Sequence, residues 1–216
     1  MLEAHDLAGQ RGMTMLFTGL AFRLVAGDAL MVTGANGTGK TTLLRILAGL
    51  TAPSAGEVRW QGARVSPFGS AMRNAVVYVG HSTALKDELT PEENLASLVA
   101  LAGARVSTRM IGDALDEADL GAQRALPARV LSAGQRRRVG LARLRLLPRP
   151  LWVLDEPATA LDAAGGALLR TILERHLAGG GVAVAATHQS LDLPSSRTQT
   201  LSLRKGALRE AGNHGG

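Results

Sequence analysis

The sequence predicts an α/β fold built on a mainly parallel sheet. Three observations carry that prediction. Short apolar runs rich in Val, Leu and Ala alternate with helix-like stretches, the pattern of strands joined through helices. A glycine-rich turn at residues 34–41 joins one such run directly to a helix. One long stretch, about 82–147, is helix-rich and holds no strand-like run, so it reads as a helical subdomain inserted into a core of about 1–81 and 148–216. At 216 residues the chain suits one domain, residues 1–216, with a sizeable core.

The elements follow in order. Ala29–Thr33 is a short buried strand, and Gly39–Leu50 reads as the helix after it. Ala75–Val79 is a second strand. At Thr90 a helix opens: Thr90 caps it, Pro91 takes its first position, and Glu93 reaches back to complete a capping box. Gly134–Leu147 is helical and is ended by Pro148 and Pro150. Leu151–Leu154 is a strand, Ala163–Ala178 a helix stopped by Gly179, Gly180 and Gly181, and Val182–Ala186 the next strand. From about Gly212 the chain is expected to fray.

Composition narrows the function classes. Apolar residues make up 46% and charged residues 19%, a globular balance. The absence of cysteine excludes disulfide frameworks, thiolate metal sites and a cysteine nucleophile. No apolar run reaches the ~18 residues needed to span a bilayer, and the first six residues carry acids where a secretory signal carries bases. A membrane link is therefore expected to run through a partner. The net charge of +6 is concentrated: residues 129–149 hold seven arginines and no acid. That segment reads either as a helix with a solvated arginine face or as a nucleic-acid surface. It has no aromatic residue for base stacking, which favours the first reading.

Gly34-Ala35-Asn36-Gly37-Thr38-Gly39-Lys40-Thr41 matches the phosphate-loop pattern G-x-x-x-x-G-K-[ST] between a strand and a helix. Glycines let successive N–H groups turn inward on phosphate oxygens, and the helix start adds its positive dipole end. Lys40 supplies charge between the β- and γ-phosphates, the Thr41 hydroxyl ligates Mg²⁺, and Thr42 can bond a further phosphate oxygen. The strand at 151–154 ends in Asp155-Glu156, at the edge where parallel sheets bind ligands. Asp155 is placed to hold Mg²⁺ and Glu156 to orient and deprotonate an attacking water.

Leu131-Ser132-Ala133-Gly134-Gln135, 20 residues before Leu151, is a second potential anion site at a helix start. Here the sequence resembles ABC-transporter ATPases, whose signature is L-S-G-G-Q; Ala133 replaces the first glycine. The resemblance implies a P-loop NTPase (RecA-like) core with an antiparallel β region near the N-terminus. It also implies a head-to-tail homodimer in which Ser132, Gly134 and Gln135 cap the γ-phosphate held by the other copy. Ala160-Leu161-Asp162 matches the family's dimer-contact loop, and His188, after the strand at 182–186, its switch histidine. Two positions depart from the pattern. His81 stands where the family has a glutamine that senses Mg²⁺. Counting back 23 residues from Gly34, to the usual adenine-stacking aromatic, reaches Arg11, with Phe17 as an alternative.

Gly80-His81, Leu85–Thr90, Glu93-Asn94-Leu95, Trp60-Gln61-Gly62, Leu131–Arg138, Leu151–Pro157 and Thr187-His188-Gln189 resemble one branch of that family, the haem-exporter ATPases of bacterial cytochrome c maturation. That branch implies ATP and Mg²⁺ as cofactors and integral-membrane partner subunits on the cytoplasmic face of the inner membrane. It implies no nucleic acid. No Cys-x-x-Cys-His stands in the chain, so haem is expected to be carried by other subunits. Two other readings stay open in the sequence: a transporter ATPase for another substrate, and a non-transport ABC ATPase acting on nucleic acid.

Overall fold

Strands form where apolar residues run continuously and can be covered on both faces. In this computed structural model, which describes residues 1–189 and 191–204, β3 (Ala29–Thr33), β7 (Leu151–Asp155) and β8 (Val182–Ala186) are such strands. With β6 (Val76–Val79) and β9 (Thr198–Ser202) they lie in a sheet of order β6-β7-β8-β3-β9. Pairing of β3 with β8, β3 with β9 and β7 with β8 is parallel. The second sheet is antiparallel, in the order β2-β1-β4-β5, with β1 (Leu2–Arg11), β2 (Thr14–Leu24), β4 (Ala55–Trp60) and β5 (Ala63–Arg64). This is the α/β architecture expected, with its antiparallel region near the N-terminus. The anticipated fraying from Gly212 lies outside the described residues.

Two corrections concern element ends. The helix expected to reach Leu50 stops earlier: α1 spans Lys40–Leu47. Ala75 closes a short helix, α2 (Ser70–Ala75), and β6 starts only at Val76 and runs to Val79.

The chain divides into two compact units, Met1–Tyr78, Arg149–Glu156 and from Leu173 onward for the first, Val79–Pro148 and Pro157–Ile172 for the second. The second unit thus includes a stretch, 157–172, that the sequence reading assigned to the core. In the first unit both sheets feed one apolar core. Leu2, Leu7, Phe17, Leu24, Leu30, Leu43, Leu44, Val153 and Val184 are all buried in it, with α1 contributing its inner face.

In the second unit α3 (Pro91–Leu101), α4 (Thr108–Glu117) and α5 (Ala133–Leu146) supply buried Leu95, Val99, Ile111, Leu115, Val139 and Leu141. The capping box read at Thr90 is present: Thr90 Oγ1 accepts from the Glu93 N–H, and Glu93 Oε2 accepts from the Thr90 N–H. Buried Asn94 donates to the carbonyls of Lys86, Leu89 and Thr90, and its own Oδ1 accepts from the Lys86 N–H. One side chain therefore fixes the loop that enters α3.

The arginine-rich segment is engaged rather than displayed. Arg136 pairs with Asp87 at 2.6 Å, Arg138 with Asp119 at 2.9 Å, and Arg145 with Glu117. Arg137 turns inward and is buried. The expected solvated arginine face is instead a set of ion pairs to acids from residues 87–119, which sequence spacing alone does not couple.

Trp152 of β7 stacks on His176 of α6 (Ala163–Ala178), with ring centroids 3.7 Å apart and planes 6° from parallel. Burial pulls the His176 imidazole below its ordinary 6.5, against the opposing effect of its bond to the Val182 carbonyl. The folded protein then binds fewer protons at this site than the unfolded chain, so stability is present above 6.5 and is lost as pH falls through the lowered value. Thermal melts from pH 7.5 down to 5 are expected to show this loss, and His176→Phe, which keeps the stack and removes the proton, to flatten it.

Candidate active site

The phosphate loop takes its shape from sterics and a few internal bonds. Gly34 has φ +140, and a Cβ there would run into the Leu203 carbonyl oxygen, so only glycine fits. Thr38 is buried and its hydroxyl donates to the Ala35 carbonyl at 2.9 Å, closing the curve through Ala35, Asn36 and Gly37. Gly39 precedes α1 at φ 104 with no side chain capping the helix, which leaves first-turn N–H groups without a side-chain acceptor. That is what an anion site at a helix start requires.

Lys40 is buried, and its ammonium donates to the Gly34 carbonyl at 2.7 Å. Its Nζ also lies 3.0 Å from His188 Nε2. The same ring nitrogen is 3.2 Å from Asn36 Oδ1 and 3.3 Å from Glu156 Oε1. With a lone pair on Nε2 it accepts from Lys40; protonated there, it donates to Glu156 or Asn36. One imidazole thus stands between the loop's cation and the carboxylate at the end of β7. His188 and Glu156 keep solvent access, with side chains 48% and 19% exposed.

Glu156 adopts a left-handed backbone, φ 50, a conformation that costs an L-residue about 1 kcal/mol. Its N–H donates to the Ala186 carbonyl at 2.9 Å, tying it to β8. Beside it Asp155 is buried, and the Thr41 hydroxyl donates to its Oδ2 at 2.8 Å. A hydroxyl and a carboxylate held this close are hard oxygen donors of the kind Mg²⁺ takes. Asp155 also acts on Tyr78, whose phenol is pushed up by burial first and by that negative charge second. Thr42 follows Thr41 in α1 and is half-buried.

The structure therefore brings Lys40, Thr41, Asp155, Glu156 and His188 together in the first unit. His81 belongs to the second unit, where it is exposed on a cleft shared with Thr83, Ala133, Arg136, Arg137 and Ala160. Of the two adenine candidates, Arg11 is exposed at the end of β1, paired across the hairpin with Thr14. Phe17 is not available as the alternative: it is 3% exposed and its ring fills the space over Gly9 on the neighbouring strand.

In the second unit the L-S-A-G-Q segment starts α5. Ser132 Oγ accepts from the Gln135 N–H at 3.2 Å, and Gln135 Oε1 accepts from the Ser132 N–H at 2.9 Å. The motif is itself a capping box, a spacing of Ser and Gln that the sequence carries openly. Gly134 is needed for a close approach, since a Cβ would sit 2.8 Å from the Ala160 carbonyl oxygen. Asp162, in the same Ala160–Asp162 loop, accepts from the Gly165 N–H at 2.8 Å as α6 begins.

Comparison with known proteins identifies the family. The family model described as ABC transporter matches residues 17–159. The cytochrome c biogenesis ATP-binding export protein CcmA of Pseudomonas aeruginosa is 49% identical over 92% of this chain and 98% of its own. The CcmA of Aromatoleum aromaticum is 52% identical over 88% of this chain and 89% of its own. Among solved structures, the dimeric ATP-binding cassette MJ0796 in a post-hydrolysis state bound to ADP and Pi superposes with a TM-score of 0.83 at 22% identity, covering 98% of this chain and 96% of that one. The chain belongs to the ABC transporter family, and within it to the cytochrome c biogenesis ATP-binding export proteins.

Proposed function

We propose that this chain is the ATP-binding and ATP-hydrolysing subunit of an ABC transporter that serves haem export or delivery in cytochrome c biogenesis. The observation that carries the reading is the meeting of Lys40, Thr41, Asp155, Glu156 and His188 at the mouth of one phosphate loop. Lys40 and the N–H groups of residues 35–42 bind the triphosphate. Thr41 and Asp155 would hold Mg²⁺, whose charge would offset that of the phosphates. Glu156 accepts the proton of the attacking water, and His188 moves from Lys40 and Glu156 to the γ-phosphate. His81 contributes through a bound water or at the partner face, because an imidazole nitrogen is a poor match for Mg²⁺. Arg11 offers its guanidinium plane to adenine.

A second copy completes the site. Its Ser132, Gly134 and Gln135 close over the γ-phosphate, and γ-phosphate loss reopens the pair. The helical unit is the docking face for integral-membrane subunits at the cytoplasmic side of the inner membrane. Its exposed Leu101, Met110, Leu126 and Val130 support that assignment. No helix among the described residues is long and apolar enough to cross a membrane.

The test is complementation in a bacterium lacking its own copy of this subunit. Wild-type protein should restore covalent haem in c-type cytochromes, and Glu156→Gln should not. Normal cytochromes with the Gln variant would overturn the reading.

A further inference from the structure

Arg137 is set apart from its neighbours on α5. Arg136 and Arg138 point to acids at the surface, whereas Arg137 is only 3% exposed. A buried guanidinium is tolerated when its N–H groups are matched by acceptors. Arg137 Nε donates to the Pro157 carbonyl at 3.1 Å, and Nη1 to the carbonyls of Gly80 at 3.0 Å and His81 at 3.4 Å. Three carbonyls from two separate segments thus converge on one planar fork, which a lysine ammonium has neither the reach nor the geometry to replace.

Both segments carry site residues. Pro157 follows Glu156 directly, and Glu156 holds a left-handed backbone that local preference does not favour. On one side its N–H is tied to the Ala186 carbonyl. On the other, the first carbonyl beyond its own peptide is the one Arg137 holds. The His81 segment ends on the same side chain, at the start of the helix opened by Ser132.

We infer that Arg137 is a positioning residue for hydrolysis, pinning the backbone that follows Glu156 and the backbone of His81 to the N-terminal half of α5. The inference rests on the proposed role of Glu156. It assigns to Arg137 no contact with nucleotide, so loss of the fork should lower kcat and leave ATP binding alone.

The experiment is steady-state ATPase kinetics of the full chain with Arg137→Lys and Arg137→Gln, alongside Glu156→Gln and thermal melts. Arg137→Lys should lower kcat about tenfold, short of the roughly 10²-fold of a 1 Å misplacement, with the KM for ATP within about twofold and a melting temperature lowered by a few degrees as the carbonyls the fork held lose partners. Arg137→Gln should lower kcat further. Wild-type kcat in Arg137→Lys, or a loss carried by KM, would overturn the inference. If Arg137→Gln unfolds, Arg137→Lys alone decides. Should Glu156→Gln hydrolyse ATP at the wild-type rate, the reading of Glu156 fails; should it be slow while Arg137→Lys is fast, only the role of Arg137 fails.

Discussion

Lys40→Ala is expected to weaken ATP binding and to abolish measurable hydrolysis. The ammonium is buried at the loop and aimed inward by the Gly34 carbonyl, so its charge is spent on whatever occupies the cradle rather than on water. Charge-assisted hydrogen bonds of this kind contribute about 1.5–3 kcal/mol. Losing one with its charge should therefore raise the Kd for ATP by roughly 10- to 150-fold. Hydrolysis falls further, because charge on the phosphate oxygens is redistributed as the bond breaks and the cation that meets it is gone. Calorimetric titration with a non-cleavable analogue checks the first part, and unchanged affinity would refute the loop assignment.

Glu156→Gln should separate binding from chemistry. The amide keeps the size and the position at the end of β7 but cannot take a proton. Binding is expected near the wild-type level, while kcat falls about 10²-fold or more, the usual weight of a general base. If γ-phosphate loss reopens the pair, as proposed above, ATP-bound dimer should accumulate and be visible by light scattering. Hydrolysis at the wild-type rate, or a monomer under saturating ATP, would contradict the assignment.

What the sequence made legible was whatever sits in continuous or repeated local patterns. β8 is buried along its whole length and β3 at Ala29, Leu30 and Val32, so their apolar runs coincide with the strands at both ends. The phosphate loop and Asp155-Glu156 are local too, and folding brings them within hydrogen-bond reach across more than a hundred residues. β1 is hidden in the sequence because a bulge at Asp6, φ 46, breaks its alternation. β9 is a polar edge strand, Thr-Gln-Thr-Leu-Ser, with little apolar signal. Helix α4 hides behind Gly112 in its interior, a poor helix former. Arg137 was indistinguishable from Arg136 and Arg138, since three identical letters carry no record of which one turns inward. Phe17 looked like an adenine platform only because aromaticity is readable and burial is not.

The first turn of α5 has an implication for how variants of this protein should be judged. The Ser132 hydroxyl uses a lone pair to hold the Gln135 N–H, which leaves its own hydrogen to give to a neighbour's phosphate. Starting the helix needs only an acceptor, so several residue types would suffice; the proposed contact with an opposite subunit would also need a donor without negative charge, and far fewer would. A survey of variants scored on folded yield would therefore record this position as permissive, while one scored on turnover would record it as strict, and the gap between the two scores would mark where folding and transport make separate demands on one oxygen atom.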